Sequence, residues 1–263
     1  MRIAVLMKPI LNTLNINAID QEILSKANLK LNEADKSALE LALKLKERLG
    51  GEVTVITALS WFCNEDKRIR EVIKLLREAL AIGADRVIII KGTNLCTGNH
   101  VVTAEALTKA IRRSGPYDLI LCGEGSSDIF SQVIPVIVAS KLNIPFIGLV
   151  KNIKISSSKI VANIKLDNVE MSIEVELPVV ASIMKDIATP RLPTLIGLKR
   201  AYEKPIDVIE FSEEDTFTKS VEMINLKVIT RVRKQIIRAH MSSDKLASEF
   251  VNILKELHVV KMQ

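Results

Sequence analysis

The residues best suited to chemistry are Cys122-Gly123-Glu124-Gly125-Ser126-Ser127-Asp128, which follow an apolar run and precede a helical one. Glycines let the main chain come close to a ligand, and hydroxyls with N–H groups near a helix start suit a phosphate. The same residues also make an ordinary strand-to-helix turn with a Ser or Asp cap. Taken alone, the segment fits both readings.

What the segment lacks narrows the chemistry. The strict GxGxxG pattern is absent, and so is GxxxxGK[ST], whose lysine and hydroxyl serve nucleotide hydrolysis. No GxSxG elbow surrounds Ser126 or Ser127, and no histidine is placed by sequence to act as their base. His100, His240 and His258 read as scattered surface or cap residues. Cys63, Cys96 and Cys122 form no CxxC pair, which fits neither a disulfide framework nor a zinc site and leaves them as buried or inert thiols. No metal site and no bond-making residue is expected.

Composition sets the outer limits. The 263 residues are 48% hydrophobic and 26% charged, a globular balance. The longest apolar stretch, Val133 to Val150, is interrupted by Pro135, Lys141, Asn143 and Pro145, so no membrane span is expected. Met1 to Leu6 leads directly into strand-like sequence without the pattern of a leader, and a cytoplasmic location is the expectation. The net charge of +6 comes with only 3% aromatic residues and with basic and acidic side chains interspersed, which favours a solvated surface over nucleic acid. Arg231, Arg233, Lys234 and Arg238 form the one local basic run, either a phosphate or partner contact or the polar face of a C-terminal element.

Elements must position the glycine segment. Arg2 to Met7 reads as a buried first strand ending at Lys8-Pro9, followed by a loop. Asn32 reads as a helix cap before Glu33, Ala34 and Asp35, with Leu39, Ala42, Leu43 and Leu45 on one face and Gly50-Gly51 as the stop. A strand at 52–59, a helix at 66–82, a strand at 86–90, a helix at 101–113, a strand at 119–122 and a helix at 133–141 continue the alternation. This predicts an α/β fold with a mostly parallel, doubly wound sheet. From Ile153 the pattern changes to short alternating segments, 153–155, 160–166 and 171–177, separated by hairpin residues, before strand character resumes at 179–184. Pro190, Pro193 and Pro205 mark an irregular stretch, and helical spacing returns at Phe250, Ile253, Leu254 and Leu257. Two regions are therefore expected: 1–185, which includes a hairpin insertion at 151–178, and a 186–263 segment forming an extended C-terminal arm.

At this level of detail the chain resembles a known family, the beta subunits of electron transfer flavoproteins. The resemblance is carried by IAVLMKPI, NEADKSALELALKLKE, EVTVITA, ALAIGADRVIII, YDLILCGEGSSD and, most specifically, TPRLPTLIGLKRAYEKPI. It implies a Rossmann-like fold of adenine-nucleotide-binding type, and an electron carrier rather than a self-sufficient enzyme. The nucleotide would be AMP, or a second FAD if the complex bifurcates electrons as an NADH-linked assembly.

The pocket implied uses Leu6 at the first strand, Asn32, Glu33, Ala34 and Asp35 before the helix, and Ala58 after a later strand. It continues through Gly123, Glu124, Gly125, Ser126, Ser127 and Asp128 to Ile129, Phe130, Ser131, Gln132 and Val133. Redox chemistry would belong to an FAD held mainly by an alpha subunit in a heterodimer, with Asn12 and Thr13 near that flavin. Leu195, in Pro193-Thr194-Leu195, would dock partner dehydrogenases, which pass electrons on to a quinone-linked or other acceptor. The chain departs from the family where Ile129-Phe130 replaces small or acidic residues and where Asn12 stands for Asp. A stand-alone nucleotide-sensing protein on the same core is the rival reading, and no nucleic acid is expected.

Overall fold

The first strand, β1 (Arg2–Leu6), is apolar on both faces because it lies in the middle of a sheet covered on both sides. The structure, a computed structural model, describes residues 1–12, 28–59, 66–92, 95, 98–156, 158–166, 168–212 and 241–256. Thr13, Cys63, Cys96, the basic run at 231–238, His240, Leu257 and His258 lie outside the described residues.

A short antiparallel ribbon, β2 (Pro9–Leu11) with β3 (Leu29–Leu31), follows β1 where only a loop was expected. Helix α1 (Glu33–Leu49) comes next, with Leu39, Ala42, Leu43 and Leu45 buried, acidic residues in its first turn and basic ones in its last, as its dipole favours. Gly50 ends it at φ 71 with its N–H on the Lys46 carbonyl. Then come β4 (Glu52–Ala58), α2 (Asp66–Ile82), β5 (Arg86–Lys91), α3 (His100–Ser114), β6 (Leu119–Gly123) and α4 (Ile134–Leu142). The expected alternation is found throughout this half.

The three alternating segments expected at 153–155, 160–166 and 171–177 are parts of longer strands. Residues Phe146–Ser156 form one strand, β7, followed by β8 (Lys159–Leu166), β9 (Val169–Glu176) and β10 (Val179–Ile183). β7 pairs parallel with β10 through Phe146, Ile147 and Val150, and antiparallel with β8 from Val150 onward. Leu149 sits at φ 54 where the register with β10 shifts between Ala181 and Ile183, with its N–H on the Ser182 hydroxyl.

Residues expected to be irregular also take regular structure. Helix α5 (Leu195–Ala201) and strand β11 (Ile206–Glu210) lie between the prolines, and β11 extends the sheet by pairing parallel with β5. The sheet has nine strands in the order β11-β5-β4-β1-β6-β10-β7-β8-β9. Strands β4 and β5 build outward from one side of β1, and β6, β10 and β7 from the other, so the order reverses between β1 and β6. Helices α1 and α2 share one core with one face of the sheet, while α3 and α4 share a second core on the opposite face.

The chain divides into a unit Met1–Lys227, which holds all of these elements, and a unit Val228–Gln263. Helix α6 (Ser243–Glu256) belongs to the second and has no buried residue; its Phe250 is exposed, while Ile253 and Leu254 are half-buried.

Candidate functional site

A cleft with about 800 Å³ of empty space, its open mouth included, lies outside the carboxyl ends of β1, β4 and β6. That is where open parallel sheets place ligands, next to the reversal of strand order. Register sets its floor: Leu6 pairs with Ile56 on one side and Cys122 on the other, so the three stand abreast and face the α3 and α4 layer. Ala58, at the end of β4, and Leu107 on α3 extend this apolar wall.

The polar side is built by the first turn of α1 and the loop after β6. Asn32 was expected to cap α1, but its side chain makes no cap bond to that helix's backbone. Its Nδ2 donates to the Gly125 carbonyl at 3.0 Å, and its Oδ1 accepts from the Ser127 N–H at 3.3 Å. Asn32 is thus a clamp on the glycine loop, and the local cap signal concealed a partner far along the chain.

Asp35 is buried and ties two strand ends together. It accepts from the Lys8 N–H at 2.8 Å and from the Gly123 N–H at 2.9 Å. Burial raises its carboxyl from 3.8 to about 6, and the N–H groups of Lys8 and Gly123, the Asn32 amide and the Lys8 charge only partly oppose that. Gly123 is required by close approach: a Cβ there would stand 2.6 Å from both the Ala34 Cβ and Asp35 Oδ1.

Lys8, which sequence reading passed over as a strand end, lines the cleft. Its Nζ reaches Asp128 at 2.9 Å and the Ser126 hydroxyl at 3.4 Å. Further along, Phe130 and Gln132 adopt φ 54 and φ 60, and the Phe130 ring packs over Gly125 while remaining largely exposed. Val133 then begins α4 with no side-chain cap, and Pro135 occupies its first turn. The early backbone donors of α4 therefore have no side-chain oxygen from that cap.

Of the residues implied by resemblance, Leu6, Asn32, Asp35, Ala58, Gly123, Glu124, Gly125 and Ser126 line the cleft, as do Ile129, Ser131 and Gln132. The rest stand behind or beside it. Glu33 is exposed and paired with Lys36, Ala34 is packed beneath Gly123, and Ser127 and Asp128 are engaged by Asn32 and Lys8. Phe130 and Val133 point partly to solvent. Asn12 bonds through its N–H to the Asn28 carbonyl and is not part of the cleft lining. Leu195 is 86% exposed.

The α3 side of the cleft was not anticipated. Gly98, His100 and Thr103 line it, with Asn99 capping the helix by accepting from the Val101 N–H. The clue was available, since the loop after β5 is a strand-end loop like the others. His100 Nε2 is buried with no hydrogen-bond partner among the described residues. Cys122 is buried in the floor, and burial pushes its thiol well above the usual range, with Asp35 adding to the effect. Among the described residues there is no cluster of side chains suited to a metal, and no helix long and apolar enough to cross a membrane.

A family model described as the electron transfer flavoprotein domain matches residues 22–214, from before β3 to beyond β11. The electron transfer flavoprotein subunit beta of Thermoanaerobacterium thermosaccharolyticum is 32% identical over 207 residues, which cover 78% of this chain and 76% of that protein. Strands β3 to β11, the Asn32 clamp and the glycine loop all lie within residues 22–214, and the chain belongs to the electron transfer flavoprotein family, on its beta-subunit side.

Proposed function

We propose that this chain is the nucleotide-binding half of a heterodimeric electron carrier and holds AMP, or the adenine end of an FAD, in the cleft beyond β1, β4 and β6. The observation that carries the reading is the meeting, in one cleft, of an apolar wall with a clamped glycine loop and the start of a helix. Leu6, Ile56 and Ala58 offer a flat apolar surface to a purine. The Gly125 and Ser126 N–H groups and the uncapped start of α4 supply donors and a favourable helix dipole to phosphate.

The chain's own side chains mostly hold that surface in place. Both amide atoms of Asn32, both oxygens of Asp35 and the Lys8–Asp128 pair are committed to one another or to backbone. Ser131, Gln132 and His100 are left facing the cleft. A buried polar atom without a partner costs stability, and a ligand hydrogen bond to His100 Nε2 would relieve that cost.

An FAD held mainly by an alpha subunit supplies the electron-accepting ring when bound. In this reading the present chain closes one side of that flavin near Asn12 and Thr13. Leu195, exposed beside Leu192 and Ile196, meets the partner dehydrogenase, and electrons leave to a quinone-linked or other acceptor.

Co-expression with an alpha-type chain tests the assembly. A one-to-one complex carrying flavin absorbance is the expected result. A chain that is stable alone and shows no affinity for the alpha-type chain would instead favour a stand-alone nucleotide-binding protein.

A further inference from the structure

The exposed apolar residues after Pro190 sit on a segment that is tied down at both ends. At its start the Arg191 guanidinium forks onto α1: Nε and Nη2 donate to Glu40 at 2.8 and 3.0 Å, and Nη1 and Nη2 donate to Glu47 at 2.5 and 3.3 Å. Glu40 is buried, so it has no alternative solvent shell to return to. The paired carboxylates raise the Arg191 guanidinium further above its ordinary range and hold Glu47 below its own.

At the far end, α5 rests on α2. The Thr194 hydroxyl caps α5 by accepting from the Gly197 N–H, Arg77 donates to the Ala201 carbonyl at 2.7 Å, and Lys204 donates to the Leu80 and Ala84 carbonyls. Between these ties Leu192 and Leu195 are each 86% exposed. An apolar pair so exposed on a segment so firmly held is presented, not frayed.

The ties converge on the cleft. Asn32 and Asp35, which form its polar side, belong to the first turn of α1, and Glu40 lies only about 7 Å further along the same helix. A second path is shorter still: Lys185, just ahead of the segment, donates its N–H to Glu124 of the glycine loop at 3.2 Å and accepts from the Ser37 hydroxyl of α1 at 2.5 Å. The glycine loop and α1 are therefore shared supports of both the cleft and the exposed segment.

We infer that Arg191 is a positioning residue that couples nucleotide occupancy of the cleft to the order of the exposed 192–201 segment. The inference rests on the nucleotide reading of the cleft and adds to it a second site, a physical connection and a reciprocal effect. A ligand that steadies the glycine loop and the first turn of α1 also steadies the carboxylates that hold Arg191, so the segment opens less often. By linkage, loosening Arg191 weakens nucleotide binding by the same factor.

Hydrogen–deuterium exchange on the full chain in complex with its alpha-type partner, depleted of nucleotide and then given AMP, tests this. AMP is the moiety common to both candidate ligands. In the native chain AMP should slow exchange at 123–133 and also at 192–201. Arg191→Gln should keep the first effect, abolish the second and weaken AMP by ~5-fold or more, the lower end of ordinary coupling. Arg191→Lys, which keeps the charge but not the fork, should fall between the two. Should Arg191→Gln fail to fold, Glu47→Gln removes only the exposed half of the clamp and should give a smaller loss in the same direction. Protection at 123–133 with none at 192–201 in the native chain overturns the coupling and leaves the nucleotide reading intact. No protection at 123–133 overturns both.

Discussion

Lys8 and Asp128 are 120 residues apart in the chain, yet the Lys8 ammonium stands 2.9 Å from the Asp128 carboxylate beside the cleft. The pair joins the end of β1 to the glycine loop, and it gives Asp128 a cation partner within the protein. Asp128 therefore acts on the loop's position, and a carboxylate already paired in this way has no part in gripping a phosphate.

A double-mutant cycle on this pair should show coupling. Both side chains are partly shielded, with relative exposures of 24% and 11%, so a value near the upper end of exposed ion pairs, about 1 kcal/mol, is expected from urea unfolding of Lys8→Met, Asp128→Ala and the double variant. Strict additivity would show that the two groups do not meet.

Stability should carry a pH signature from Asp35. Its folded value, about 6, lies above the ordinary 3.8, so between these values the folded state binds the proton that the unfolded state has lost. Stability from this group is fullest below about pH 4 and declines as pH rises through 4 to 6, by ~3 kcal/mol when ionisation is complete. Asp35→Asn removes that slope. Unfolding free energies of the native chain and the variant, compared from pH 4 to 7, should converge or cross; parallel curves would contradict the assignment.

Gly123→Ala forces a methyl group into contact with Ala34 and Asp35, since a Cβ at this position would stand 2.6 Å from each. Overpacking of this kind costs about 1–3 kcal/mol, and here it also pushes the glycine loop off α1. Lower thermal stability together with loss of bound nucleotide is expected, and an unchanged melting temperature would refute the close approach.

Leu195→Ala should behave in the opposite way. At 86% exposure the side chain contributes little to folding, so stability should stay within about 0.5 kcal/mol and flavin and nucleotide content should be unaltered. Electron transfer from a partner dehydrogenase should fall. Equal loss of cofactor would remove the docking role.

Much of the fold could be read from the sequence because its parallel core leaves local marks. β1, β4 and β6 are short apolar runs, and α1 and α2 repeat their apolar residues at helical spacing. Only 153–155 of β7 was legible as a strand, because Lys151 and Asn152 turn polar where the strand meets its antiparallel neighbour. α5 escaped notice because it is seven residues long with Gly197 inside it, and β11 because it follows Pro205 and is half-exposed. At the site, Asn32 illustrates the limit: as a cap it is legible from its immediate neighbours, but its true partners lie 93 and 95 residues away. His100 looked like a surface residue because nothing local shows that α3 begins at the cleft.

The central claim is that this chain carries its own adenine nucleotide, and the most direct measurement is to denature the purified heterodimer and quantify what it releases by chromatography. The account predicts an adenine nucleotide beyond the alpha subunit's single FAD: one AMP, or a second FAD in a bifurcating complex. Release of one FAD per heterodimer and no further nucleotide would contradict it.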